Sequence, residues 1–413
     1  MFGRYMMKHV RPLAFLLILV LVAPIFSGCT DLFDDNSPPT VNMSIDPSGT
    51  LKADQSATFS AVGTSDADGD SLTFNWEFGD GNTGQGLTTS HTYKTQGEYL
   101  VKLRVSDGTH ETTVTKTINV VSSDAREPKA EIYQEKQEDC EGEEPSNSVR
   151  GILYWVCEDD KDIEDREIEV STTVTLDGSP SWAGCDPDNS DCYAEEYLVS
   201  YKWDLDIHSD SDGDGDLEND VDATGEIYEW KDVPSGAYEI KLTVEDNNGF
   251  VSSDDSMVYV NYRGVWNDFV LGRVANNPQN ENAACVDEDY PCELTWSFPL
   301  NYEDPKDKIR YYRAKLTYPQ KDDDQPIGSI GDDDNKLDMY LKNETDEPVT
   351  NTTSLGNDNR DAGDCSSEDY CVWVQIGGST VRSFEPGTWT IDVKNEKTHN
   401  TDVKHMVIEL QYR

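Results

Sequence analysis

The chain has 413 residues, 82 of them Asp or Glu against 33 Lys or Arg, for a formal charge of -49 and a mean hydropathy of -0.68. Such acidity repels phosphate backbones and anionic head groups at long range, which excludes a nucleic-acid binder. A hydrophobic fraction of 36%, with nine Trp and 20 Tyr, is enough for several modest cores. Disorder throughout is therefore excluded too, and the length accommodates two to four domains of about 100 to 150 residues.

At the N-terminus Arg4, Lys8 and Arg11 precede an apolar run from Leu13 to Phe26, which ends in Ser27-Gly28-Cys29 ahead of Asp31, Asp34 and Asp35. The run falls short of the about 20 residues needed to cross roughly 30 Å of hydrocarbon, so residues 1–28 read as a signal peptide. Phe26-Ser27-Gly28-Cys29 resembles a lipobox, with Phe26 departing from the usual aliphatic residue. Two readings are open: a lipid on Cys29 that anchors the chain to the membrane, or plain cleavage beside an incidental Cys. Parity favours the first, because eight Cys then remain in an exported chain. Residues 29–38 would form a short tether.

From Thr40 the chain reads as short alternating strands separated by turn residues, the pattern of a β-sandwich. It also repeats. Leu72-Thr73-Phe74-Asn75-Trp76 matches Val199-Ser200-Tyr201-Lys202-Trp203, and Gly97-Glu98-Tyr99 with Val101, Leu103, Val105 and Asp107 matches Gly236-Ala237-Tyr238 with Ile240, Leu242, Val244 and Asp246. The two matches lie 127 and 139 residues apart, which places a twelve-residue insertion between Trp203 and Gly236.

Trp76-Glu77-Phe78-Gly79-Asp80-Gly81, followed by His91-Thr92-Tyr93 and the Gly97 strand, resembles the PKD (polycystic kidney disease) domain, which implies an immunoglobulin-like sandwich over 39–122. Residues 128–262 read as a divergent second copy, with Asp204-Leu205-Asp206 where the first has Glu77-Phe78-Gly79. Physically, Trp76 should fill the space between sheets, Gly79 and Gly81 should allow a positive-φ turn, and Asp80 should accept turn N–H groups.

The insertion is acidic. Asp210, Asp212, Asp214, Gly215, Asp216 and Glu218 follow the D-x-D-x-D-G order of a calcium loop, with Val221 where an EF-hand has Glu and with Asp220 or Asp222 as substitutes. Asp66, Asp68 and Asp70 in the first copy, Asp186–Asp191 in the second, and Asp322–Asp324 and Asp332–Asp334 further on are weaker candidates. Structural Ca²⁺ is the cofactor these loops suit. The alternative is a solvated acidic loop, common in so acidic a chain.

Residues 264–413 lack that motif but stay strand-rich. Lys336–Leu341 and Pro386–Val393 resemble the jelly-roll domains at the C-terminus of secreted peptidases, the pre-peptidase C-terminal and convertase P-domain group, where the resemblance implies an appendage without chemistry of its own. The fold class expected is all-β: tandem immunoglobulin-like (PKD) sandwiches followed by a jelly-roll-like sandwich.

The eight remaining Cys fall as sequence neighbours, Cys140 with Cys157, Cys185 with Cys192, Cys285 with Cys292 and Cys365 with Cys371, which suits local disulfides in an oxidising compartment better than zinc. Closing an eight-residue loop contributes about 2.5 kcal/mol on the loop-entropy argument. Asn42, Asn343 and Asn351 head N-glycosylation sequons. No H-E-x-x-H, G-x-S-x-G, Walker or dinucleotide motif is present, and six His leave little for acid–base work. A weak enzyme in the C-terminal module would need Trp266, Trp296, Trp373 or Trp389 exposed to line a sugar cleft, although such Trp are more often core.

The expectation is a non-enzymatic, lipid-anchored protein on the extracellular side of the membrane, serving adhesion or the binding of surface glycans or proteins, with calcium-stabilised acidic loops. The alternative is a non-catalytic accessory or targeting subunit of a secreted hydrolase.

Overall fold

The computed structural model describes residues 36–146, 148–184, 196–215, 217, 220–275, 284–300, 309–321, 334–356, 360, 365–381 and 383–412. The expected signal segment, Cys29, Cys185, Cys192, Asp216, Glu218, Asp322–Asp324, Asp332 and Asp333 lie outside the described residues. The chain divides into two compact units: Met1–Asp46 with Ala57–His91 and Leu100–Thr117, and Pro47–Ser56 with Thr92–Tyr99 and Ile118–Arg413.

The architecture is all-β, as expected. Strands β1 (Ser44–Asp46), β2 (Leu51–Lys52), β3 (Ser56–Ser60), β4 (Thr73–Glu77), β5 (Thr83–Gln85), β6 (Thr88–Thr92), β7 (Gly97–Ser106) and β8 (Glu111–Val121) form sheets ordered β1-β3-β6 and β2-β8-β7-β4-β5. Trp76 is fully buried and lies opposite Leu103, and its indole N–H donates to Gly86 O at 3.0 Å. Gly79 and Gly81 adopt φ of 86° and 92°, and Asp80 Oδ1 accepts the Asn82 N–H at 3.0 Å. His91 stacks on Phe78 and meets Asp80 Oδ2 at 2.8 Å. Burial pushes the Asp80 carboxyl up, but hydrogen bonds from Asn82 and the His91 contact outweigh it and hold that pKa below the ordinary value.

The second copy uses β9 (Ile152–Lys161), β10 (Ser171–Asp177), β11 (Leu198–Asp204), β12 (Ala223–Thr224), β13 (Ile227–Pro234), β14 (Gly236–Asp246) and the 21-residue β15 (Val251–Leu271). Its inner geometry repeats the first. Trp203 lies opposite Leu242 and donates to Gly225 O at 2.9 Å, while Tyr238 Oη donates to Pro234 O as Tyr99 Oη donates to Thr95 O. Asp246 Oδ1 accepts two turn amides, Asn248 and Phe250, as Asp107 Oδ1 accepts Thr109 and His110. The inserted residues form the β11–β12 loop: Trp203 pairs with Ala223, whereas Trp76 pairs with Gly84.

Strands β16 (Glu293–Leu300), β17 (Ile309–Pro319), β18 (Leu337–Lys342), β19 (Pro348–Asn351) and β20 (Asp369–Gly377), the one-turn α1 (Gly378–Val381), β21 (Gly387–Asn395) and β22 (Thr401–Tyr412) complete the chain. Their sheets run β15-β22-β17-β20 and β16-β21-β18-β19. Successive strands from β15 to β18 alternate between sheets, and β18–β19 is a hairpin, which together give the strand order of a jelly roll. Trp266, Trp296 and Trp389 are fully buried between these sheets, with Phe298 stacked on Tyr312.

β15 crosses position 263, where the expected boundary between the second and third modules falls. Its first half pairs with β14 (Val260 with Gly236) and its second with β22 (Tyr262 with Leu410), both antiparallel, while β9 runs parallel to it from Val258 to Trp266. Val258 pairs with both β14 and β9, and Tyr262 with both β22 and β9, so β14 and β22 share one edge of β15 and β9 covers their junction on the other. Gly264 reads as a break in sequence but sits mid-strand, where a Cβ would meet Tyr262 Oη at 2.2 Å and Trp266 at 3.1 Å.

Candidate functional site

Disulfides join Cys140–Cys157, Cys285–Cys292 and Cys365–Cys371, with Cα separations of 5.6, 5.4 and 6.0 Å. Of the sequon residues, Asn42 and Asn351 are exposed, whereas Asn343 is 3% exposed and its amide oxygen accepts the Thr345 and Glu347 N–H groups. The Asn343 sequon is thus a buried turn device, which corrects the expectation of a glycan acceptor at that position.

Two places in the second unit bring functional side chains together. In the β11–β12 loop the carboxylate oxygens of Asp210, Asp212 and Asp214 lie within 4.8 Å of one another, all exposed. Local backbone chemistry sets this up: Asp210 accepts the Gly213 and Gly215 amides at 2.6 and 2.9 Å, Asp212 accepts Asp214 N–H at 3.0 Å, and both glycines have positive φ. Two oxygens bound to one Ca²⁺ at about 2.3–2.6 Å can be at most about 5 Å apart, so the trio fits such an ion and supplies three of its six to eight oxygens.

Asp220 serves the loop differently. It is 5% exposed and its two oxygens accept the Ser211 and Asp212 amides, so the loop is tied to it. Below it Asp204 is 3% exposed and its Oδ2 has no hydrogen-bond partner. Burial first, then Asp222 and Asp220, raise the Asp204 pKa. Among the described residues, no comparable trio forms at Asp66, Asp68 and Asp70: Asp66 accepts the amides of Asp68 and Asp70, and Asp68 reaches Ser37 N.

The other place is the outer face of the β15-β22-β17-β20 sheet. Register sets Arg263, Glu409, Arg313 and Gln375 in one row across the four strands, and Val265, Val407, Lys315 and Trp373 in the next. The alternate residues, such as Met406, Leu316 and Val372, point inward and are buried. Trp373 is 45% exposed, the outlier among the four C-terminal Trp; the expectation that Trp266, Trp296 or Trp389 could line a cleft is corrected, because all three fill the core. Arg313 lies 5.7 Å from the Trp373 ring centroid and 4.6 Å from that of Tyr311. Arg263 contacts Asp159, Glu141 and Glu409 at 2.7, 3.6 and 3.7 Å. The Cys140–Cys157 disulfide holds the Glu141 segment against β9, whose Cys157 pairs with Arg263. Of these residues, Glu141, Arg263, Arg313, Lys315, Trp373, Val407 and Glu409 line a cavity of about 300 Å³. Sequence reasoning named Trp373 but missed its partners, because the row exists only once strands far apart in sequence are paired.

The fold thus defines an all-β protein of several sandwiches, and residues 36–121 match the family model described as PKD domain; this segment is a PKD domain. Collagenase ColQ1 of Bacillus cereus (strain Q1) is 34% identical over 96 residues, 22% of this chain and 10% of that protein. Microbial collagenase of Vibrio alginolyticus is 39% identical over 72 residues, 17% of this chain and 9% of that protein. The chain spans about a tenth of the length of these curated relatives. Among solved structures, the PKD1 domain of Vibrio anguillarum Epp is 26% identical, covering 21% of this chain and 100% of that one at a TM-score of 0.17. The PKD1 domain of Vibrio cholerae metalloprotease PrtV is 27% identical, covering 20% and 98% at a TM-score of 0.18. The PKD match is consistent with a binding or accessory module.

Proposed function

We propose that this is an exported, non-enzymatic binding protein of the cell surface, anchored through lipid on Cys29 and contacting surface glycans or proteins. The observation that carries the reading is the outer jelly-roll face, where an exposed Trp373 stands beside Arg313 and Glu409 in a cavity rather than among core residues. Calcium at Asp210, Asp212 and Asp214 would stiffen the inserted loop and partly neutralise it; the three carboxylates supply the hard oxygens that such an ion takes. Immobilised full chain is expected to retain components of a surface extract, and Trp373→Ala should lose most of that retention. Equal retention by the variant overturns this face as the binding site. In cell fractionation, Cys29→Ser is expected to move the protein from membrane to medium; a variant that stays with the membrane ends the anchor reading.

A second reading, an accessory or targeting subunit of a secreted hydrolase, is favoured by the partial likeness to two collagenases. Co-purification with a secreted protease or polysaccharidase would support it over the adhesive role.

A further inference from the structure

The outer sheet face holds an unfilled donor and an unfilled acceptor side by side. Glu409 Oε2 is buried and receives no hydrogen bond, although Arg313 Nη1 stands 3.6 Å away. Arg263 Nε is buried and donates to nothing, although Glu409 Oε1 is 3.7 Å away. Both side chains line the same cavity as Trp373. Buried polar atoms left this way are costly unless a further group completes them. A group that accepts from Arg263 and donates to Glu409 at once is a hydroxyl, of a ligand or of a water, and because Arg263 Nε and Glu409 Oε2 have almost no accessible surface, a ligand hydroxyl meets them only once the two side chains turn toward the cavity. Next to it, the exposed Trp373 ring offers an apolar platform of the kind that packs against C–H groups.

Hydroxyls beside an apolar ring face, repeated at short spacing, describe a sugar. The cavity, about 300 Å³, lies at the small end of ordinary ligand pockets of about 300–1,000 Å³ and is scaled to a sugar unit rather than a folded domain. Charge selects further. Arg263, Arg313 and Lys315 are set against Glu141 and Glu409 in the cavity and Asp139 and Asp159 at its border, which leaves the local charge nearly balanced, so the -49 of the whole chain decides: it repels a uronate at long range where a neutral sugar is not repelled.

We propose that this face is a subsite for a neutral pyranose of a polysaccharide, with Trp373 stacked on the ring and Arg263, Arg313 and Glu409 hydrogen-bonding its hydroxyls. This deepens the binding reading above and rests on it. The segment held by Cys140–Cys157 contributes Glu141 to the cavity wall.

The test is titration calorimetry of the full chain with neutral hexasaccharides (β-1,4-glucan, β-1,4-mannan, β-1,4-xylan and α-1,4-glucan) and with oligogalacturonate as the anionic control. At least one neutral sugar is expected to bind with Kd below about 1 mM, and Trp373→Ala and Glu409→Gln should each weaken it by about tenfold or more. Trp373→Tyr should restore part of the affinity. The circular-dichroism melt of Trp373→Ala should match the parent, since the ring is exposed. Preference for oligogalacturonate, absence of binding to every neutral sugar, or binding indifferent to Trp373 and Glu409 overturns the proposal. Surface-extract retention separates the two levels: retention that depends on Trp373 but resists periodate and yields to protease leaves the binding reading standing and removes the sugar. No retention at all removes both.

Discussion

At the scale of single residues, the clearest tension lies in buried carboxylates. Asp204 has an unpartnered oxygen, and its pKa is raised by burial and by Asp222 and Asp220. Its ionised form is therefore disfavoured in the fold. Asp204→Asn keeps the oxygen that accepts Asp206 N–H and turns an amide NH₂ toward the neighbouring acids. In chelator at neutral pH this variant is expected to melt higher than the parent by a few degrees, at about 2–4 °C per kcal/mol. A lower melting temperature would mean that Asp204 is better satisfied than its contacts indicate. Arg360 and Asp338 are also fully buried, and each keeps one atom without a hydrogen bond, but there opposite charges meet: the two pair at 2.5 Å, Lys336 Nζ stands 3.2 Å from Asp338 Oδ2, and Tyr318 Oη and Leu337 O take further guanidinium hydrogen bonds. Neither residue stands out in a sequence with 82 acids, since burial of one particular Asp follows from strand register and not from its neighbours in the chain.

At the scale of elements, the inserted β11–β12 loop is where bound metal should be felt. It is held by amides on Asp210 and Asp220 and carries three converging carboxylates. Excess Ca²⁺ should stabilise the fold by mass action, about 2.7 kcal/mol at one hundred times Kd, and Asp212→Asn should remove most of that gain while leaving the calcium-free melt unchanged. A calorimetric melt that moves by no more than a degree with calcium or chelator would make the loop merely solvated. Much of this loop was legible, because D-x-D-x-D-G is a local pattern and its Gly213 and Gly215 turns are local too. The repeat was legible for the same reason: Trp76 and Trp203 bring the same partners with them, an opposing Leu and a backbone carbonyl. β15 was not. Its alternation is interrupted by Gly264, a residue that usually punctuates, and only the approach of Tyr262 and Trp266 explains why a strand needs it there. The outer row around Trp373 was hidden too, since it joins residues from β15, β17, β20 and β22.

At the scale of the whole molecule, charge governs response to pH. Asp204, Asp246 and Glu409 have raised pKa values, each chiefly through burial. Their contribution to stability is full below the unfolded values near about 4 and is lost as pH rises through their folded values. Asp80, Asp107 and Asp287 have lowered values, so their contribution is present above about 4 and is lost as pH falls through their folded values. Self-repulsion within a chain of charge -49 acts in the same direction as the first group. In chelator, the melting temperature is expected to peak between about pH 4.5 and 6 and to decline toward pH 8. A steady rise from pH 5 to pH 8 would contradict this.

The continuous β15 also sets how the chain reaches its fold. Ile152 must find Val258, and Leu410 must find Tyr262, before either half of that strand is paired on both sides. Both closures span long stretches of chain, and contacts of that kind slow folding because loop entropy is lost before pairing rewards it. The second and third sandwiches should therefore fold as one late, cooperative event. Until then the incomplete chain presents open strand edges, and its heavy negative charge is what keeps such edges from finding one another.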